Sequence, residues 1–525
     1  MVLSYQIELG GLTLIKPDRM ALINHNYIKK AVSEVKKAFP ITYENSSVSL
    51  DGVEIPSVEY LENTLNGMDG IHKAKIQGTS LSIPVKGTLV YKDSSGNSTR
   101  KNLTLFKIPV MSAKGSFVLD GNEITVPMQM RLRAGVYAHS APSGEYISRF
   151  FLSKGRNFRI VYDPNKPSLR AVAESKTVPV VPLLLGLGIP EGRLREKLGD
   201  QLYTELNTNI PPDQAVIKFG GMIKADPKKN LIDYLNEDTE LEANTVKMTL
   251  GLDGVKSVTP EVMEAAAYKL ISIAKGESED DHTDDLVFKK VFDFKDMVAE
   301  AVAHTRKIVQ NKILYKMKIH DDPEKVLSSG LFTQSVRNFF VEGSLAQFED
   351  SSNPLSIASN LTKITLTGEG GLSNQRQAKD SDRGLNPTHL GFIDPVHTPE
   401  SDKIGLSLHM GSGVVKVGDT LGTSMWDCKN NKKVLVTPFD TYEATVAFPG
   451  QAIIKDGKFT WKTNEVKVQH NKKIMITTPD KVDYVLLNNK SMYGPATNSL
   501  PFLSALQGNR AMMAAKHQEQ AIALD

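Results

Sequence analysis

A single cysteine, Cys428, in 525 residues excludes an internal disulfide and any zinc site built from several thiolates. Long apolar runs are also missing. The longest, VPVVPLLLGLGI at 178–189, is broken by prolines and falls short of the roughly eighteen residues that read as a membrane span. Neither sign of charge dominates: 63 Lys and Arg against 60 Asp and Glu leave a net charge of +3. That is far from the basic balance of many isolated DNA-binding domains, so any nucleic-acid role needs local charge and partner chains that complete a channel. The start, MVLSYQIELGG, has no basic segment followed by an apolar one, which predicts no signal peptide. GEGGLSNQ has no Lys-Ser/Thr after its glycines and is not a P-loop, and HTPE is not the zinc-binding HExxH arrangement. A reducing cytoplasm is the expected setting.

What is present is the composition of an ordinary globular protein, 40% hydrophobic and 23% charged. The length suggests roughly three or four domains. Residues 28–39 carry apolar positions at helical spacing. Residues 80–111 read as strands around an exposed Ser/Gly/Asn turn, and Asp120-Gly121 between apolar runs predicts a hairpin. From 141 to 285 the chain reads as a separate unit, opening with strands and followed from Pro182 by helical material. It closes in GESEDDHTDDL, where Asp280, Asp281, His282, Asp284 and Asp285 superficially look like metal ligands. Closely spaced like charges in a polar run predict a solvated loop instead. Residues 292–316 form an amphipathic helix pattern with Val298, Ala301, Val302, Ile308, Val309 and Ile313 on its apolar positions. Short strands with turn signals follow between about 415 and 490.

The densest pattern lies at 347–405. It offers Gln347, Phe348 and Asp350, then Asn353, Pro354, Leu355 and Ser356, then Gly370, Gly371 and Leu372. Pro387, Thr388, His389 and Gly391 follow, then Thr398, Pro399, Glu400, Ile404 and Gly405. In order and spacing this resembles the fork of the β subunit of multisubunit DNA-dependent RNA polymerases. Two other stretches support the resemblance. Gly115, Phe117, Gly121, Glu123, Val126 and Gln129, then Arg131 or Arg133 with Gly135, Val136 and Tyr137, are similar to the family's protrusion element. Pro501, Phe502, Asn509, Arg510, Met513, Ala514, Gln518, Gln520 and Ala521 are similar to its Asn-Arg (NR) element.

The resemblance implies a multidomain mixed α/β (α+β) fold. Its parts would be a first protrusion segment (1–140), a lobe (141–285) and a returning helix with the second protrusion segment (286–345). The fork (346–414), a β-rich external domain (415–490) and the start of the hybrid-binding region (491–525) complete it. The acidic run 276–286 becomes the crossing from lobe to protrusion.

As site residues, Arg510 would reach the phosphates of the incoming nucleotide, with Asn509 beside it; a bidentate guanidinium suits a triphosphate that gains charge on its leaving side. Gln347, Phe348, Asp350, Asn353, Lys363, Arg376, Glu400 and Gln520 would lie along the RNA–DNA hybrid. They would hold it by shape and phosphate rather than by sequence. His389 would be structural, buried and hydrogen-bonded. Mg²⁺ would serve the assembled enzyme, with NTPs as substrates. The family's metal-binding D-x-D-x-D triad is absent here, and DFKD at 293–296 lacks its third carboxylate. The metal ligands would therefore come from a β′-like chain.

The sequence stops at Asp525, soon after Arg510. That end, with drift from the bacterial motifs, resembles the divided β subunits of giant (jumbo) bacteriophage polymerases of the φKZ group. Expected partners are a C-terminal β-like subunit, β′-like subunits, a promoter-specificity subunit, template DNA and nascent RNA. The host cytoplasm during infection is the expected location, with packaging in the virion left open. The bacterial fork carries a rifamycin pocket, where this chain has Asn360, Thr362, Lys363, Thr365 and Glu369 in place of His, two Arg, Ser and Pro. These departures imply rifampicin resistance. A truncated cellular β subunit and a non-catalytic virion or scaffold descendant are the alternatives.

Overall fold

In a computed structural model, residues 17–65, 68–208, 210–320, 322–349, 353–378, 380–455 and 458–521 are described. The fold is mixed α/β with several sheets, as expected. Contacts divide it into two units, one formed by the chain up to Arg131 and from Lys290 onward, the other by Leu132–Lys289.

The first unit is organised by the helix Phe294–Ile319. Asp293 and Asp296 form a reciprocal capping box at its start, so the DFKD carboxylates serve backbone N–H groups. Phe294, Val298, Val302, Val309, Ile313 and Met317 recur at helical spacing and are buried. They share a core with Met20, Ile23, Tyr27 and Ala31 of the helix Pro17–Lys36. Each such burial stabilises by about 1.5–3 kcal/mol. Ile308, expected on the apolar face, is instead 67% exposed. Its position follows Val302 by six residues, which turns it away from the 294–298–302–309 stripe.

Strands Ser82–Lys92 and Ser98–Pro109 form the expected long antiparallel pair. Phe117–Leu119 and Asn122–Thr125 form the expected hairpin. Asp120 (φ 48°) and Gly121 (φ 80°) both sit in the left-handed region that a two-residue turn with strand-matched twist requires. Farther on, six strands run in the order Val415–Val417, Thr420–Asp427, Tyr484–Leu486, Val446–Ala447, Val466–His470 and Lys473–Thr477. Lys432–Val436 pairs with the second of these.

The second unit is a five-stranded antiparallel sheet, ordered Lys176–Pro179, Ser168–Ala173, Phe158–Asp163, Tyr146–Phe151 and Gly135–Ser140. Helices Val180–Gly186, Pro212–Ile223 and Pro260–Ala274 contribute to its core, where Phe150 stacks on Phe158 at 4.2 Å. The acidic run is not a freely solvated loop. Asp281 accepts the Ala138 N–H at 2.8 Å and pairs with Lys269 at 2.7 Å, while Asp285 is fully buried. Burial pushes the Asp281 carboxyl upward, and Lys269 opposes that shift. Among the described residues, no helix is long and apolar enough to cross a membrane.

Candidate functional site

The 347–413 segment is joined by strand pairing to the hairpin region that precedes residue 132. Gln347 and Phe348 pair antiparallel with Thr125 and Ile124. Lys363–Thr365 pairs in parallel with the strand carrying Met128 and Gln129, and antiparallel with Ser407–His409. Between these strands the NPLS residues open a helix, Pro354–Thr362. Asn353 is its N-cap, its Oδ1 accepting the Leu355 N–H at 2.9 Å, and Pro354 occupies the first turn, where a missing N–H costs nothing.

The glycine turn is bound to the same frame. Gln129 Nε2 donates to the Thr367 carbonyl at 2.9 Å, and Arg131 Nε donates to Gln129 Oε1 at 2.7 Å. Arg131 is fixed in turn by a two-oxygen contact with Glu300 (2.7 and 3.0 Å) and lies over the Phe292 ring at 4.1 Å. Gly370 (φ 81°) has to be glycine: a Cβ there would stand 2.4 Å from the Arg131 Cζ. Arg133, the alternative arginine of this element, pairs with Glu242 at 2.8 Å within the second unit.

The NR element forms the helix Gly508–Gln520. Its inner face, Ala511 and Ala515, packs with Ala496 and Leu500 and against Leu355 of the NPLS helix. Asn509 and Arg510 are exposed on its first turn. Asn509 Oδ1 accepts the Arg510 N–H at 2.8 Å, and the guanidinium touches Met513 Sδ at 3.6 Å. It makes no ion pair among the described residues. A cation on the first turn of a helix opposes the macrodipole, so this placement does not serve the helix.

At the other end of the NR helix, Asn353 Nδ2 lies 2.7, 3.0 and 2.8 Å from the carbonyl oxygens of Gln518, Glu519 and Ala521. Glu519 Oε2 lies 3.2 Å from Nε2 of the buried His397. The His397 ring stacks on His409 with centroids 3.7 Å apart and planes within 6°. Burial, then the charge of His397, holds His409 well below the usual imidazole range. Burial would raise Glu519, but the hydrogen bond and charge of His397 bring it below its ordinary value. His397, His409 and Glu519 bring three ligand-type atoms within 4.8 Å of one another. Two parallel stacked imidazoles cannot both aim an in-plane lone pair at one ion, and lysines act on the same group. The arrangement is therefore better described as a hydrogen-bonded stack than as a metal centre.

Lys363 of the strand after the NPLS helix and Lys516 of the NR helix act on His409, and Lys403 of the TPE loop joins them at Lys363. Burial, then Lys516 and Lys403, pushes Lys363 below the ordinary lysine value. None of the three makes an ion pair among the described residues. Lys363 Nζ donates to Gln347 Oε1 at 2.8 Å. Glu519 and Glu349 offset part of the positive charge at Lys363, and a phosphate would offset it further.

The other expected residues are placed as follows. Phe348 is 78% exposed, and Arg376, Glu400 and Gln520 are exposed. Asp350 lies outside the described residues. Asn353, expected along the hybrid, is 9% exposed with its amide committed to backbone carbonyls. His389, expected to be buried, is half-buried in the short turn Pro387–His389; the fully buried histidines are His397 and His409. Sequence reasoning missed Lys403, Lys516 and the histidine stack. In the sequence they are isolated residues, and only tertiary pairing brings them together.

Residues 347–413 match the family described as RNA polymerase Rpb2, domain 3. Over 99% of its length the chain is 24% identical to the DNA-directed RNA polymerase subunit beta of Syntrophomonas wolfei, covering 49% of that protein. It is 25% identical to the same subunit of Synechococcus elongatus over 85% of the chain and 43% of the relative. For Thermus thermophilus the values are 26%, 83% and 42%. The chain thus spans about half the length of the curated relatives it matches. It is homologous to the β subunit of DNA-directed RNA polymerase, and residues 347–413 carry the part known as Rpb2 domain 3.

Proposed function

We propose that this chain is the N-terminal β-like part of a DNA-directed RNA polymerase. It would form one wall of the RNA–DNA cleft and position the incoming NTP for nucleotidyl transfer. The observation that carries this reading is Arg510: exposed, without a carboxylate partner among the described residues, and set against the dipole of the NR helix. A nucleotide triphosphate supplies the negative charge such a residue lacks. Lys363, Lys403 and Lys516, brought together from three segments, would serve the phosphates of the hybrid. Magnesium would be held by aspartates of a β′-like chain, with template DNA, nascent RNA and a second β-like chain completing the site.

The finer assignment is a divided β subunit of giant-phage type, working in the host cytoplasm and insensitive to rifampicin. The departures at Asn360, Thr362, Lys363, Thr365 and Glu369 support it. Mass spectrometry of the complex that copurifies with the tagged chain tests the partners: separate β-like and β′-like chains are expected, and one full-length β chain would overturn the division. In that complex Arg510→Ala is expected to lower kcat/KM for NTP by about 10²-fold. RNA synthesis indifferent to this substitution would favour a non-catalytic descendant.

A further inference from the structure

We propose that Asn353 is a positioning residue that sets the attitude of the NR helix and thereby the reach of Arg510. The inference rests on the nucleotide role of Arg510 given above. Asn353 works in two directions. Its Oδ1 caps the NPLS helix at Leu355, and its Nδ2 is shared among the carbonyls of Gln518, Glu519 and Ala521. An amide has two hydrogens, so three acceptors at 2.7–3.0 Å mean a shared, converging contact. Gln518 and Glu519 are in the last turn of the NR helix, where carbonyls have no intrahelical partner. A side chain from a distant segment therefore closes this helix end, in the place usually taken by local residues or water.

The contact is one of three between the same bodies. Leu355 packs with the Ala511 and Ala515 face, and His397 holds Glu519 at 3.2 Å on the turn that Asn353 caps. Together they fix the helix along its inner face, at Ala511 and Ala515, and at its C-terminal end, with Asn509 and Arg510 left exposed on the first turn. Arg510 lies five residues, about 7.5 Å, from Ala515, so a tilt of about 8° about that contact displaces Arg510 by about 1 Å. A misplacement of about 1 Å at a reacting group can lower a rate by about 10²-fold. No contact between Asn353 and nucleic acid is needed for this effect.

Asn353→Ser separates the two duties, because serine caps a helix about as well as asparagine but cannot donate to three carbonyls across the interface. In the assembled polymerase, Asn353→Ser is expected to raise the KM for NTP about 10-fold and to leave the affinity for a preformed template–RNA hybrid unchanged. The double variant with Arg510→Ala should be no worse than Arg510→Ala alone, since both act through one guanidinium. Hydrogen exchange should show faster amides at 515–521 and unchanged amides in the NPLS helix. Should Asn353→Ser fail to assemble, Asn353→Asp, which also keeps the cap, provides the same comparison with a larger expected KM effect. Additive losses in the double variant, or weakened hybrid binding at unchanged NTP KM, would overturn the positioning role. An Arg510→Ala enzyme with unchanged kcat/KM for NTP would instead overturn the reading on which it rests.

Discussion

Asp296 shows how much one carboxylate can hold in place. Burial alone would raise its pKa, yet Lys416 and Lys30, with the Asp293 N–H, bring it down to about 2. A depressed folded-state value means that its stabilisation is complete above the unfolded value near 3.8 and is lost as pH falls through about 2. Its size is on the order of 2 kcal/mol. Asp296→Asn keeps an acceptor for the capping box and removes the charge. We expect hydrogen exchange in the first turn of the Phe294–Ile319 helix to accelerate in this variant at pH 7, by about ten-fold or more. The difference from the parent protein should close near pH 2, and a gap that persists there would exclude the charge as its cause. The same residue scale shows where reading a sequence stops. That Asn353 caps a helix is legible from an Asn-Pro before an apolar run. That it also closes the NR helix is not, because the carbonyls it meets are 165 or more residues away.

At the scale of elements, the hairpin at Asp120-Gly121 and the long helix were legible because turn chemistry and helical period are local properties. The 347–405 stretch was legible as a pattern, but its shape depends on strand pairing with Met128 and Gln129, a partner no local period announces. The residues that depart from the bacterial pattern show what occupies this element instead. Asn360 Nδ2 lies 3.3 and 3.4 Å from the Glu349 carboxylate oxygens, and Lys363 is bound to Gln347. Thr365 is buried, its hydroxyl 3.3 Å from the Leu406 carbonyl and 2.9 Å from the Thr367 hydroxyl. Such side chains, already satisfied within the fork, would have to break these bonds to receive a polar ligand, at a cost of about 1–3 kcal/mol for each buried group left unpaired. The expected outcome is that rifampicin at concentrations that stop a bacterial polymerase leaves the proposed complex containing this chain active in a run-off transcription assay. Tight inhibition would show that the pocket survives the substitutions.

At the scale of the whole molecule, homology over nearly the full chain accounts for the fold class, while composition alone would have said only that the protein is globular. The surface raises a separate question. Lys473–Thr477 ends the six-strand order, and it exposes Ile474, Met475 and Ile476 by 63, 46 and 67%. Ile474 and Ile476 stand opposite Gln469 and Lys467 on one face of the strand, and Met475 stands opposite Val468 on the other. Both faces of a sheet edge are thus apolar, with Lys473 the one charge in the strand. Natural edges are usually blunted by charge, proline or a bulge, because unpaired backbone groups beside apolar side chains recruit further strands. We expect the chain, purified without partners, to self-associate through this edge as its concentration rises. Ile476→Lys adds a charge beside Lys467 on the outer face without entering the core, since residue 476 is largely exposed already. Sedimentation velocity should then show a single species over the range in which the parent chain associates, with far-ultraviolet circular dichroism unchanged. Association that survives both Ile476→Lys and Met475→Lys would place the contact elsewhere on the molecule.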